Sequence, residues 1–253
     1  MSKSTHFIGQ PLLGQLLSLI DQVDVHRISK KHGGEHYVKH FDAWHHLVTM
    51  LYAIIMRFDS LREIQLSMTA ESRKLSHLGL TKIPKRSTLS DANVRRSEVI
   101  FGELYATLYD KHKGVLSSDS RNRESTPSWL RKLKIMDSTT ISLFSNLVFK
   151  GVGRNPKRGK KKLISLLTND FEMPQQDIID IYRKRWMIET LFKQLKQNFP
   201  LRYFYGESAN AIKIQVWCTL IANLLLMLIK RSVRRSWSFS GLATMIRILM
   251  MYY

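Results

Sequence analysis

The stretch over residues 216–229 is apolar on every side except at Thr219 and Asn223, and it closes on Lys230-Arg231. A helix with no polar face forms only where apolar material surrounds it. The run is shorter than the ~18–20 residues needed to cross a bilayer. It therefore reads as a buried core helix and not as a membrane span. The opening Met1-Ser2-Lys3-Ser4-Thr5-His6-Phe7 lacks the charged start and continuous apolar core of a signal peptide. Cys218 is the sole cysteine, so no internal disulfide can form. The expectation is a cytoplasmic protein with no membrane partner.

Helical periodicity continues on both sides of this run. Leu12, Leu13, Leu16, Leu17 and Ile20 share one face after Pro11, and Gly33-Gly34 interrupts the pattern. Residues 41–58 read as a largely buried helix. Ser60 and Glu63 have capping-box spacing, and the helix they start carries Leu61, Ile64 and Met68 inward. Gly79 ends the next short piece, residues 82–87 form a basic loop, and Ser87 or Thr88 is expected to cap one long helix running to about Lys113. Residues 116–130 read as a Ser- and Arg-rich linker. Residues 133–143, 147–150 and 163–168 are strand-like. Helices are expected over 174–199 and 209–230, with a final amphipathic segment from Phe239. The expected domains are a helical N-terminal domain over 1–115, a smaller α/β region over 131–205 and a C-terminal helical region over 206–253, mainly α overall.

The charge balance selects the partner. Forty Lys and Arg stand against twenty Asp and Glu, a formal net charge of +20. Such a chain concentrates polyanions around itself, and nucleic acid is the natural one. Helix, turn, basic loop and helix around Gly79 resemble a helix-turn-helix, with Lys82, Lys85, Arg86, Arg95 and Arg96 placed to meet phosphates. A plain bundle with a solvated basic face accounts for the same residues equally well.

Two features bear on chemistry. Asp137 ends a strand-like run, where a carboxylate serves either a hard metal or a turn. Tyr182, Arg185, Glu189 and Lys196 fall within a ~60° arc of one helix, beside an apolar stripe of Ile181, Ile188, Phe192, Leu195 and Phe199. A carboxylate among cations and a phenol suits a metal-bound phosphodiester. An ordinary amphipathic helix with an Arg–Glu pair fits the same spacing.

The spacing Tyr182-x2-Arg185-x3-Glu189-x6-Lys196 resembles the signature of the YREK group of insertion-sequence DDE transposases. Met136-Asp137-Ser138-Thr139 resembles that group's first-Asp motif, and residues 204–215 resemble the segment after its Glu helix. Residues 7–13 and 86–93 resemble its helical N-terminal domain. The resemblance implies a ribonuclease-H-like core in which Asp137 and Glu189 are catalytic carboxylates and ligands of two Mg²⁺ ions (Mn²⁺ as substitute). It implies that Tyr182, Arg185 and Lys196 hold the phosphate of a transposon end. The implied partner is double-stranded DNA, with a homodimer or a heterodimer with a full-length transposase, in a protein associated with the bacterial nucleoid.

The chain departs from that pattern in one region. No acidic residue lies between Asp137 and Asp170, and 51 residues separate Asp137 from Glu189. The second Asp of the family and the strands that carry it have no counterpart. Residues 160–163, at the end of a run of six basic residues in nine over 154–162, look like a deletion junction. The chain also stops at Tyr253, earlier than the resemblance implies. Asp170 is a poor substitute, since metal geometry tolerates little misplacement, and Asp177 and Asp180 suit the helix dipole better. The expectation is an incomplete ribonuclease-H-like core in a transposase with impaired catalysis, or a non-catalytic DNA-binding remnant that inhibits a full-length copy.

The remaining motifs read as ordinary. His32, His36 and His40 have i, i+4, i+8 spacing, but Gly33-Gly34 and basic neighbours favour a solvated His-rich loop over zinc. Trp44, Trp186 and Trp217 read as core or helix-docking residues rather than base-stacking platforms.

Overall fold

The computed structural model describes residues 11–76, 78–116 and 175–252, with the backbone alone for 175–185. Ten helices appear among them: α1 (Leu12–Leu17), α2 (Gln22–Lys31), α3 (Ala43–Met56), α4 (Leu61–Ala70), α5 (Ser72–Ser76), α6 (Arg86–Arg95), α7 (Val99–Leu116), α8 (Gln175–Asn198), α9 (Ala209–Ser232) and α10 (Phe239–Leu249). The described residues contain no strand, so the fold seen is mainly α. The strand-like segments expected over 133–168, with Asp137 and Asp170, lie outside the described residues. The chain divides into two compact units, one of Met1–Ser120 with Gln194–Tyr253 and one of Arg121–Lys193.

In the first unit α9 is the central element. It packs against α7, α3, α10 and α6, and Ile214, Cys218, Ile221, Ala222 and Leu225 are fully buried. By length and composition α9 could cross a membrane, yet 61% of its most apolar window is buried by neighbouring helices, as in a soluble core helix. Gly102 on α7 admits its Trp217, since a Cβ there would lie 3.0 Å from the indole. α9 and α10 share one core with α3 and α7. The first turn of α1 also leans on the C-terminal segment. Leu12 and Leu13 N–H donate to the carbonyls of Tyr252 and Met250 at 3.1 and 3.0 Å, supplying acceptors for otherwise orphaned N–H groups.

Local signals set the helix ends. Asp42 caps α3 by accepting from the His45 N–H at 2.8 Å, and Arg57 in the left-handed region (φ 63°) stops it. Ser60 Oγ accepts from the Glu63 N–H at 3.3 Å, while Glu63 reaches back to the Asp59 N–H at 2.9 Å. That is a capping box displaced by one residue. Ser208 and Ser238 cap α9 and α10.

The long helix expected from residue 87 or 88 to 113 is two helices. α6 starts after Lys85, which makes no side-chain cap, and the Arg86 N–H is met instead by Gln65 Oε1 of α4 at 2.9 Å. The chain turns extended at Arg96 (ψ 126°), and Asn210 of α9 holds the break open. Its amide donates to the carbonyls of Asn93 and Arg96, both at 2.8 Å, and accepts from the Glu98 N–H at 3.1 Å. These are the groups a continuous helix would have paired internally.

Beside this break lies His46, fully buried on α3. Its Nε2 stands 2.8 Å from Asn93 Oδ1, and its ring meets Phe101 edge-on at 5.2 Å. Burial and the Arg96 charge push its pKa down to about 3, against the opposing pull of Asn93. The native state thus keeps His46 neutral while the unfolded chain takes up a proton near pH 6.5. The stability so conferred is complete above that value and is lost as pH falls toward 3. Between pH 7 and about pH 5 the loss is expected to be about 2 kcal/mol. Urea unfolding at both pH values should show it, and His46→Gln, which keeps a donor to Asn93 without titrating, should flatten the dependence. An equal slope in both proteins would refute this account.

Candidate nucleic-acid interface

α6 buries only Leu89 and Asn93. Its other face carries Arg86, Ser87, Asp91, Val94 and Arg95 into solvent. The loop before it is pinned at two points: Leu80, whose N–H donates to Leu75 O at 3.1 Å, and the buried Pro84. Gly79, with φ of +83°, makes the turn into that loop. Lys82 and Lys85 are therefore directed outward by a fixed loop. Lys85 and Arg86 stand at the helix N-terminus, where the backbone adds positive potential. Arg95 lies nine residues on from Arg86, or ~13 Å along the axis. That is about the width of a DNA major groove, ~12 Å. Cations at the two ends of α6 can straddle the groove and meet phosphates on either side.

The structure sets Arg96 apart from this surface. It is 5% exposed, and its guanidinium donates to the carbonyls of Gly34 at 3.3 Å and Phe41 at 2.8 Å. The expected phosphate contact at Arg96 is corrected accordingly. Its charge is used to pin the segment between α2 and α3. Sequence reading missed this because a cation within a basic run carries no mark of burial.

Tyr182, Arg185, Glu189 and Lys196 all lie on α8, the helix expected over 174–199. Glu189 is half-exposed and Lys196 exposed. Within the stripe, Leu195 and Phe199 are buried at 4% and 2% exposure, while Ile188 and Phe192 are partly exposed. Trp186, expected to dock, is 56% exposed. Trp44 is buried, and Trp217 donates its Nε1–H to Glu98 at 2.8 Å. The three spaced histidines do not share a helix, because α2 ends at Lys31. His32 there pairs with Glu103 at 2.6 Å.

The described part of the first unit is thus helical, with Arg86 and Arg95 exposed at the two ends of α6. Residues 8–81, which cover α1 to α5, match the family described as "Domain of unknown function (DUF4372)". The chain is also similar to curated proteins whose names assign them provisionally as transposases. It is 35% identical to y4zB of Sinorhizobium fredii over 105 residues, 38% of this chain and 28% of that protein. It is 43% identical to the transposase for insertion sequence element IS4SA of Synechocystis sp. over 54 residues, 21% of this chain and 16% of that protein. It is 33% identical to the transposase for insertion sequence element IS5377 of Geobacillus stearothermophilus over 63 residues, 25% of this chain and 17% of that protein. The chain thus spans less than a third of the length of these relatives. No solved structure matches it. Together these similarities support a transposase family.

Proposed function

We propose that this chain binds duplex DNA at insertion-sequence ends through α6 and its approach loop, and that it is a catalytically impaired member of the YREK transposase group shortened by an internal deletion near residues 160–163. The observation that carries the reading is the exposed set Lys82, Lys85, Arg86 and Arg95, none with a carboxylate at ion-pair distance among the described residues, in a chain similar to insertion-sequence transposases. Tyr182, Arg185 and Lys196 of α8 are proposed to hold a further transposon-end phosphate. Its test is the affinity for short duplexes as a function of salt. Binding through phosphates falls steeply from about 50 to 200 mM salt, and a flat response would remove the basis of the reading.

The resemblance also assigns Mg²⁺ to Asp137 and Glu189. A two-ion site needs a third carboxylate to balance the second ion, and the sequence has no acidic residue between Asp137 and Asp170. The donor set therefore does not fit two ions, and no cleavage step is derived through them. The expected result is no Mg²⁺- or Mn²⁺-dependent nicking of supercoiled DNA, with Asp137→Ala indistinguishable from wild type. Nicking that Asp137→Ala abolished would restore the active-transposase reading. The missing counterpart of the second Asp, beside the exposed cations of α6, supports the second reading, a remnant that competes with a full-length transposase for the same ends.

A further inference from the structure

A second group of cations shares Lys82 with the first and lies beside the approach loop of α6. A cavity of 390 Å³ opens between the segment after α2 and the loop after α5, with Lys39, His40, His45 and Lys82 in its wall. Lys82 Nζ stands 3.4 Å from His40 Nε2. An ammonium can donate to a neutral imidazole, but the pair repels once the imidazole is protonated.

The two carboxylates of the cavity are already engaged. Asp42 Oδ1 accepts from the His45 backbone and lies 2.6 Å from His45 Nδ1. Glu35 Oε1 accepts from Ser29 Oγ at 2.6 Å and from the Ala43 N–H at 3.0 Å. Among the described residues neither Lys39 nor Lys82 has a carboxylate at ion-pair distance. His45 adds positive character, because its two ring nitrogens face two acceptors, Asp42 and the Gly79 carbonyl at 3.3 Å. The Asp42 hydrogen bond raises its pKa above the ordinary histidine value. Lys39, His40 and Lys82 are all exposed at the mouth.

We propose that this cavity is a phosphate site in which Lys39, His40 and Lys82 grip one phosphate group. The inference rests on the DNA-binding reading, under which the ligand is a backbone phosphodiester beyond those reached by α6. Lys82 belongs to the loop that delivers Lys85 and Arg86, so one strand can run from the cavity to the helix N-terminus. Free orthophosphate offers the same chemistry and is separated by the test. A phosphate between Lys82 and His40 can accept from the ammonium and from a ring N–H of the imidazole, in place of the hydrogen bond the two share. The charged and titratable groups around His40 are Glu35, Lys39, Asp42, His45 and Lys82. The two acids are held by hydrogen bonds to Ser29, Ala43 and His45; their charge opposes an anion, and Lys39 and Lys82 supply the attraction.

The experiment uses the full chain and two probes. With a short labelled duplex, Lys39→Gln and Lys82→Gln should each lower the log–log salt slope by about 1 and the affinity by about eight-fold near 0.1 M salt. With inorganic phosphate, the His40 ring resonances should shift in wild type and stay fixed in Lys82→Gln. A changed slope without a phosphate response supports a DNA phosphate as the ligand, and a phosphate response without a changed slope supports a free anion. Unchanged slopes together with unmoved His40 resonances overturn the site. If the wild type fails to bind duplex at all, the DNA reading falls, and the phosphate titration still decides whether the cavity is a site.

Discussion

Gln215→Leu is expected to destabilise the first unit by about 2–4 kcal/mol, because it strands two buried backbone groups at about 1–3 kcal/mol each and loosens a third, part-buried one. Gln215 is fully buried on α9. Its amide donates to the carbonyls of Pro200 at 3.1 Å and Tyr203 at 2.8 Å, and its Oε1 accepts from the Tyr205 N–H at 2.8 Å. One side chain thereby shapes the whole connection between α8 and α9. The consequence extends further, since Tyr205 donates its hydroxyl to Phe58 O at 2.7 Å just past the end of α3. Burial pushes the Tyr205 phenol pKa up, so it stays protonated and keeps donating. Leucine nearly matches glutamine in volume, so packing is conserved and the loss reports the polar network. A urea midpoint equal to that of wild type would mean that these groups find other partners.

Gln215 closes a segment, residues 204–215, whose resemblance to transposases was visible in the sequence without revealing what the residues do. Asn210 lies in the same segment and Asn93 in the other quoted stretch, residues 86–93. In the fold the two meet, with Asn210 donating to the Asn93 carbonyl at 2.8 Å. Part of the quoted resemblance therefore marks a latch between α6 and α9 and not a reaction site. The helices α3, α8, α9 and α10 were legible because apolar periodicity and Ser or Asp caps are local signals. The break between α6 and α7 was not. Arg95-Arg96-Ser97-Glu98 contains no glycine or proline, and the residue that stabilises the turn comes 112 positions after Glu98. The same limit hid the cavity, whose His40 and Lys82 are 42 residues apart in sequence and adjacent only in the fold. The exposure of Lys82, Lys85, Arg86 and Arg95 was legible because cations in a run without apolar periodicity are ordinarily solvated.

Neutralising α6 is expected to have the largest effect on binding. In Lys85→Gln/Arg86→Gln/Arg95→Gln the log–log salt slope should fall by about 3, and counterion release then predicts a loss of several hundred-fold near 0.1 M salt. The loss should be equal for transposon-end and unrelated duplexes, because phosphate contacts carry no sequence information. All three side chains are exposed, so urea stability should stay within about 0.5 kcal/mol of wild type. Arg96→Gln supplies the contrast. Its cation is 5% exposed and bonded to the carbonyls of Gly34 and Phe41, so it should cost stability and leave the slope per folded molecule alone. Two neighbouring arginines are thus expected to separate cleanly, Arg95 acting on DNA and Arg96 on the fold. A triple variant that keeps the wild-type slope would move the DNA surface away from α6, and the Lys39 and Lys82 variants would then show whether the cavity carries the contact instead.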